Sequence, residues 1–186
     1  MTSTEYAPQR HEKGKLRKDI RLLKNKFSRE ELAAMSETTI QKLKCSLRFK
    51  SAKTIMMYYS LPDEVDTHDF INEISIDKNV VLPVVTDHEN IELRIFHNPS
   101  EMKYGAYNIM EPTGKVFDRY EEIDVAVIPG MAFDNDCHRL GRGKGYYDRF
   151  LKKVPSVYKI GICFNFQKVE HVPSSEHDVD MDEIIS

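Results

Sequence analysis

No apolar run in the sequence approaches the roughly 20 residues that cross a bilayer, and the N-terminus lacks the apolar stretch of a secretory signal. A membrane partner is therefore not expected. Cysteine is scarce: Cys45, Cys137 and Cys163 lie far apart and form no C-x-x-C pair, which excludes a disulfide framework and a cysteine zinc site. An excess of either charge is also missing. With 27 Lys and Arg against 30 Asp and Glu, the net charge is -3, so no global field would hold a nucleic-acid backbone, and any anion site must be local. Glu5, Glu12 and Asp19 interrupt the basic residues Arg10, Arg17 and Arg21, against the pattern of a transit peptide. The cytoplasm is the expected compartment, with mitochondria as the alternative. There is no internal repeat and no low-complexity segment. At 186 residues the chain can close one core, so residues 1–186 are read as a single domain, expected to be a monomer.

What is present begins, after an end read as frayed to about residue 9, with Leu16, Ile20, Leu23 and Phe27 at helical steps, the basic residues falling on other faces. A second helix is predicted from Ser28, where Glu31 completes a capping-box pattern, to near Phe49, with Leu32, Met35, Ile40, Leu43 and Leu47 on its apolar side. The period then changes. Residues 54–59, 80–85, 91–96, 124–128 and 158–164 are short apolar or β-branched runs that read as strands, with helices over 66–76 and 146–153. This alternation predicts an α/β fold, a layered sandwich of flanking helices on a mixed, mostly parallel sheet; the short turn after Val85 supplies the antiparallel pair. Pro83 argues against a central strand at its position. Residues 97–122 read as a long connection, either functional or a surface excursion.

Ligands of open α/β sheets sit beyond the carboxyl ends of strands. The most informative such segment is RLGRGKGYYD, Arg139 to Asp148. Gly141, Gly143 and Gly145 let backbone amides approach an anion while Arg142 and Lys144 flank it, and a predicted helix follows. That pattern describes a phosphate cradle; the alternative is a flexible glycine-rich turn with solvated basic residues. It is not a P-loop, because Gly145 follows Lys144, nor a dinucleotide fingerprint, because the third glycine comes too early. Beside a bound triphosphate Asp148 is a candidate Mg²⁺ ligand, and Asp178 or Asp182 in HDVDMDE a second; alternatively these two belong to a solvated terminus.

The run PGMAFDNDCHRLGRGKGYYDRFL resembles the signature of the 5-formyltetrahydrofolate cyclo-ligases, also called methenyltetrahydrofolate synthetases. KGKLR at Lys13 to Arg17 resembles that family's nucleotide-binding helix, and SLPDEVDT at Ser60 to Thr67 its substrate loop. The resemblance covers nearly the whole chain and implies an α/β sandwich. It also implies ATP-dependent closure of 5-formyltetrahydrofolate to 5,10-methenyltetrahydrofolate, by phosphorylation of the formyl oxygen and attack by N10. By the same resemblance Lys13, Gly14, Lys15, Leu16 and Arg17 contact ATP. Arg139, Leu140, Gly141, Arg142, Gly143, Lys144, Gly145, Tyr146 and Tyr147 wrap its phosphates, with Arg142 and Lys144 at the reacting phosphoryl group. Asp148, with Asp178, holds Mg²⁺; Tyr59, Glu64 and Tyr147 line the folate site.

The sequence departs from the family in three places. Cys137 stands where glycine is usual, the segment Tyr107 to Met110 has no tryptophan, and the tail ends DEIIS. Two other classes fit parts of the pattern. A non-catalytic nucleotide- or folate-binding paralogue would keep the cradle without turnover, and a nucleic-acid module would use the basic helix and the glycine loop. His68, His138, His171 and His177 are read as surface or hydrogen-bonding histidines rather than acid–base catalysts.

Overall fold

The computed structural model describes residues 6–105 and 109–186; Tyr107 and Asn108 of the tryptophan-free segment lie outside the described residues. Helix α1 (Tyr6–Lys24) starts earlier than the periodicity suggests. Pro8 is compatible with that start, because the first-turn amides have no intrahelical acceptor. Helix α2 (Arg29–Cys45) opens on the expected box: the Glu31 amide donates to the Ser28 hydroxyl at 3.2 Å and the Ser28 amide to Glu31 Oε2 at 2.7 Å. Replacing Ser28 by alanine is expected to cost about 1 kcal/mol. The check is urea unfolding, where the midpoint should fall with no change in slope.

The second helix does not continue to Phe49. Ser46 turns extended, its hydroxyl donates to Glu183 at 3.1 Å, and a short helix α3 (Leu47–Ser51) restarts. The break buries Phe49 and leaves Leu47 81% exposed, so Leu47 is not part of the core face.

Strands β1 (Thr54–Met56), β2 (Asn79–Val85), β3 (Ile91–Phe96), β6 (Val116–Phe117), β7 (Val125–Pro129), β10 (Tyr158–Ile162) and β11 (Glu183–Ile185) form a seven-stranded sheet in the order β11-β10-β7-β1-β2-β3-β6. The first five in that order run parallel, and β3 and β6 pair antiparallel with their neighbours. This is the mixed, mostly parallel sheet that the alternation predicts. The central runs are apolar throughout because both faces are covered. Ile55, Val80, Leu82, Val125 and Val127 face α2, α3 and α4 (His68–Ile74), while Met56, Val81, Ala126 and Ile128 face α5 (Tyr146–Leu151). Helix α1 packs separately, Ile20 lying with Met131, Ala132, Leu140 and Val172.

Pro83 does sit in an interior strand, and the ladder explains why. The Thr86 amide donates to Asn90, so alternate amides toward β3 belong to residues 84 and 82, and position 83 faces the other way. There β1 has already ended, opposite Val81, and no ladder bond is lost. Two further expectations are corrected. The acidic tail closes with edge strand β11. The 97–122 connection folds into a hairpin of β4 (Met102–Tyr104) and β5 (Met110–Pro112) followed by edge strand β6.

Candidate active site

Chain order reverses at β1: β2 follows on one side, through α4, while β7 lies on the other. Loops leaving the carboxyl ends of β1 and β7 therefore diverge around a crevice. The β1 loop is tied down by its own polar groups. Tyr58 donates its phenol to Val65 O at 2.9 Å, Thr67 its hydroxyl to Tyr58 O at 2.7 Å, and Tyr59 stacks on His68 with ring centres 3.9 Å apart. The β7 loop makes a small hairpin, β8 (Ala132–Phe133) and β9 (Arg139–Leu140). Its turn is organised by buried Asp134, whose carboxylate accepts from the amides of Asp136, His138 and Val172 at 2.8–3.0 Å and lies 2.9 Å from His138 Nδ1. The hydrogen bond to Asp134 raises the His138 pKa against the opposing effect of burial. Cys137, where glycine was the family expectation, adopts the left-handed φ of 67°.

Between the loops lies a cavity of about 340 Å³. Of the residues singled out in the sequence, Tyr59, Glu64, Arg139, Gly141, Arg142, Lys144, Gly145, Tyr146, Tyr147 and Asp148 line it. The glycine loop needs its glycines: Gly143 and Gly145 have φ of 104° and 71°. Helix α5 is only six residues long, so the helix dipole expected behind the cradle contributes little.

Arg142 Nε donates to Glu64 Oε1 at 2.9 Å and its NH2 to Asp63 Oδ1 at 2.5 Å, while the Leu61 amide donates to Glu64 Oε2 at 3.0 Å. Arg17 Nε donates to Gly141 O at 2.8 Å, and Lys13 pairs with Asp178 at 2.5 Å. These two residues bring α1 to the same end of the sheet. Gly14 and Lys15 are exposed on that helix, Leu16 packs beneath it, and the Leu140 side chain is core. The Tyr147 phenol is pushed well above its usual pKa by burial, so it is a neutral donor at neutral pH.

Arg139 is not a free phosphate contact. Its side chain is 3% exposed, donates to Asp148 Oδ1 at 2.8 Å and to Pro129 O at 3.2 Å, and leaves Nε without a partner among the described residues.

Asp182 is also displaced from the role considered for it. It takes the Lys159 amide and ammonium, both at 2.7 Å, where β11 begins, which is the amino end of the sheet. Asp148 and Asp178 suit a divalent cation better. Among the described residues both bonds to Asp148 fall on Oδ1 and all those to Asp178 fall on Oδ2, so each carboxylate has one oxygen outside these hydrogen bonds. Burial pulls the Asp178 pKa up, but bonds from Lys13 and Ser175 outweigh it and keep the carboxylate ionised. The ligand atoms of Asp134, Asp136 and His138 also converge, but both Asp134 oxygens already take two donors each.

The wall opposite the glycine loop is less legible in the sequence: Pro83, Val85, Ile91, Ile109, Met110 and Glu111. Glu111 is 5% exposed and accepts from the Val85 amide at 3.2 Å. A Cβ at Gly105 would stand 1.7 Å from its Oε2, so a side chain there would displace the Glu111 carboxylate. An acidic residue within an apolar stretch, IMEP, is the signal that could have marked it.

A sequence model of the 5-formyltetrahydrofolate cyclo-ligase family matches residues 9–186. The chain is 31% identical over 189 residues to a probable 5-formyltetrahydrofolate cyclo-ligase of Caenorhabditis elegans, covering 93% of this chain and 91% of that one. Solved structures similar to this chain include two 5,10-methenyltetrahydrofolate synthetases. The 5,10-methenyltetrahydrofolate synthetase of Aquifex aeolicus aligns with a TM-score of 0.83 at 37% identity, over 93% of this chain and 88% of that one. That of Mycoplasma pneumoniae aligns with a TM-score of 0.76 at 32% identity, over 93% and 97%.

Proposed function

This chain belongs to the 5-formyltetrahydrofolate cyclo-ligase family, and we propose that the cavity between the β1 and β7 loops is where its ATP-dependent ring closure takes place. The reaction converts 5-formyltetrahydrofolate and ATP to 5,10-methenyltetrahydrofolate, ADP and phosphate. The observation that carries the assignment is Arg142. From the glycine loop it reaches Asp63 and Glu64 of the β1 loop, so the segments suited to phosphate and to folate share one cavity.

The chemistry explains the absence of a nucleophile–base pair. A formamide oxygen leaves poorly, so attack by N10 alone stalls. When that oxygen attacks the γ-phosphorus, the bond to ADP breaks. N10 then adds to the formyl carbon, the C–O bond breaks, and phosphate departs with the oxygen while N10 loses its proton. The protein has to align two substrates and stabilise charge on the moving phosphoryl group. Arg142 and Lys144 carry that second task, with loop amides between Gly141 and Gly145. Lys13 and Arg17 contact the nucleotide from α1, and Tyr59, Glu64 and Tyr147 line the folate subsite. Asp148 and Asp178 are the carboxylates that would hold Mg²⁺, which would supply neutralisation of phosphate charge. No helix among the described residues is long and apolar enough to cross a membrane.

Glu64 is the carboxylate that faces both partners, and it separates folate recognition from nucleotide recognition. Glu64→Gln is expected to raise the folate KM more than tenfold while changing nucleotide affinity by less than about threefold, since a lost charged hydrogen bond is worth about 1.5–3 kcal/mol. Steady-state kinetics with each substrate varied in turn, and calorimetry of nucleotide binding, check this. Equal losses for both substrates would mean that the loop has collapsed and that Glu64 recognises neither.

A further inference from the structure

Lys24 is an unusual residue to find buried. Its side chain is 3% exposed, and its ammonium reaches the Asp63 carboxylate at 3.1 Å and the Asp63 carbonyl. A buried cation is tolerated only with such partners. Neither Lys24 nor Asp63 lines the cavity. Asp63 nevertheless holds Arg142 through its other oxygen, and Glu64, the next residue, holds the same guanidinium. Four charges thus form one chain, Lys24 to Asp63 to Arg142 to Glu64, joining α1, the β1 loop and the glycine loop. The two cations and two carboxylates sum to zero.

We infer that this chain is a latch between the two substrate subsites, with Asp63 and Lys24 as positioning residues, so that nucleotide and folate bind with positive coupling. The inference rests on the functional reading above. A triphosphate that draws Arg142 to its γ-phosphate takes it from Asp63 and Glu64. Asp63 keeps Lys24, and Glu64 keeps the Leu61 amide but loses its cation. The N–H donors of a pterin ring can then satisfy Glu64. Conversely, a pterin that engages Glu64 first leaves Arg142 held by Asp63 alone, with the Nε side of its fork open to a phosphate oxygen. Each ligand alone breaks the same Arg142–Glu64 contact and leaves one of the two charges with a partner fewer. The two ligands together satisfy both charges, and the contact is broken only once. Coupling of this kind is reciprocal: each ligand must tighten the other by the same factor.

The test is calorimetric binding of the β,γ-imido analogue of ATP with Mg²⁺, and of 5-formyltetrahydrofolate, each with and without saturation by the other. The wild-type protein should show a Kd for each ligand about fivefold or more lower when the other is present, with equal factors. Asp63→Asn removes one of the two carboxylates on Arg142 and, unlike a variant that merely damages the loop, should tighten the nucleotide in the absence of folate and shrink the coupling factor. Thermal unfolding of the same samples establishes that Asp63→Asn is folded; if it is not, the wild-type pair of titrations decides alone. Ligands that bind and turn over with coupling factors of one would overturn the latch and leave the functional reading standing. So would a folded Asp63→Asn protein with unchanged or weakened nucleotide binding. Failure of both ligands to bind would overturn the functional reading and the latch with it.

Discussion

Arg142→Ala protein is expected to turn over about 10²- to 10³-fold more slowly than wild type, the loss seen when one preorganised charge-stabilising donor is removed. The effect should fall on kcat, because the charge that Arg142 meets grows on the phosphoryl group as it leaves ADP. Lys144→Ala is expected to lose a similar factor. The two side chains differ in geometry. The planar guanidinium spans Asp63 and Glu64 with two of its nitrogens, and the same fork can engage two phosphate oxygens. Arg142→Lys should therefore recover only part of the rate. Single-turnover quench experiments separate chemistry from product release, and a wild-type rate for Arg142→Ala would remove it from the mechanism.

The second large effect concerns stability. Arg139 is almost fully enclosed and Asp148 is its only carboxylate partner among the described residues, so Asp148→Asn strands a buried cation. Removing one member of a buried pair typically costs about 3–5 kcal/mol. For a chain of this size each kcal/mol lowers Tm by about 2–4 °C. The pairing with Arg139 predicts that stability and metal response both change. Thermal unfolding measures the first. A Mg²⁺ titration of the initial rate, per folded molecule, measures the second. The paired substitution Arg139→Met with Asp148→Asn should restore much of the lost stability, because no charge is left unpaired, yet should not restore the metal response. An unshifted metal curve in Asp148→Asn would remove that carboxylate from the cation site.

These two residues show where sequence reading reaches and where it stops. The central strands were legible because buried parallel strands are apolar on both faces, as in β7, and the run 91–96 coincides with antiparallel β3. The glycine loop was legible because glycines alternating with cations serve one chemistry well. Residues whose roles depend on a distant partner were not legible. Nothing local distinguishes Lys24 from the other lysines of α1; only its burial against Asp63 does. Arg139 and Arg142 look alike in RLGRGK, yet one is fixed under the loop by Asp148 and the other reaches across the crevice. Asp178 and Asp182 stand in one acidic run, but the chain turns between them into β11, which leaves them on different sides of the sheet's ends. Strand β11 itself is three residues long, too short for a period to register. The hairpin wall that carries Glu111 was hidden for the same reason, since β4 and β5 are equally short.

The claim at the centre is that the formyl oxygen leaves as phosphate oxygen. It is tested by running the reaction with 5-formyltetrahydrofolate labelled with ¹⁸O in the formyl group, in unlabelled water with ATP and Mg²⁺, while following the ultraviolet absorbance of the methenyl product. One ¹⁸O atom should appear in each phosphate released, with ADP and methenyl product formed in equal amounts. Unlabelled phosphate, or ADP release that proceeds without ring closure, would contradict the account.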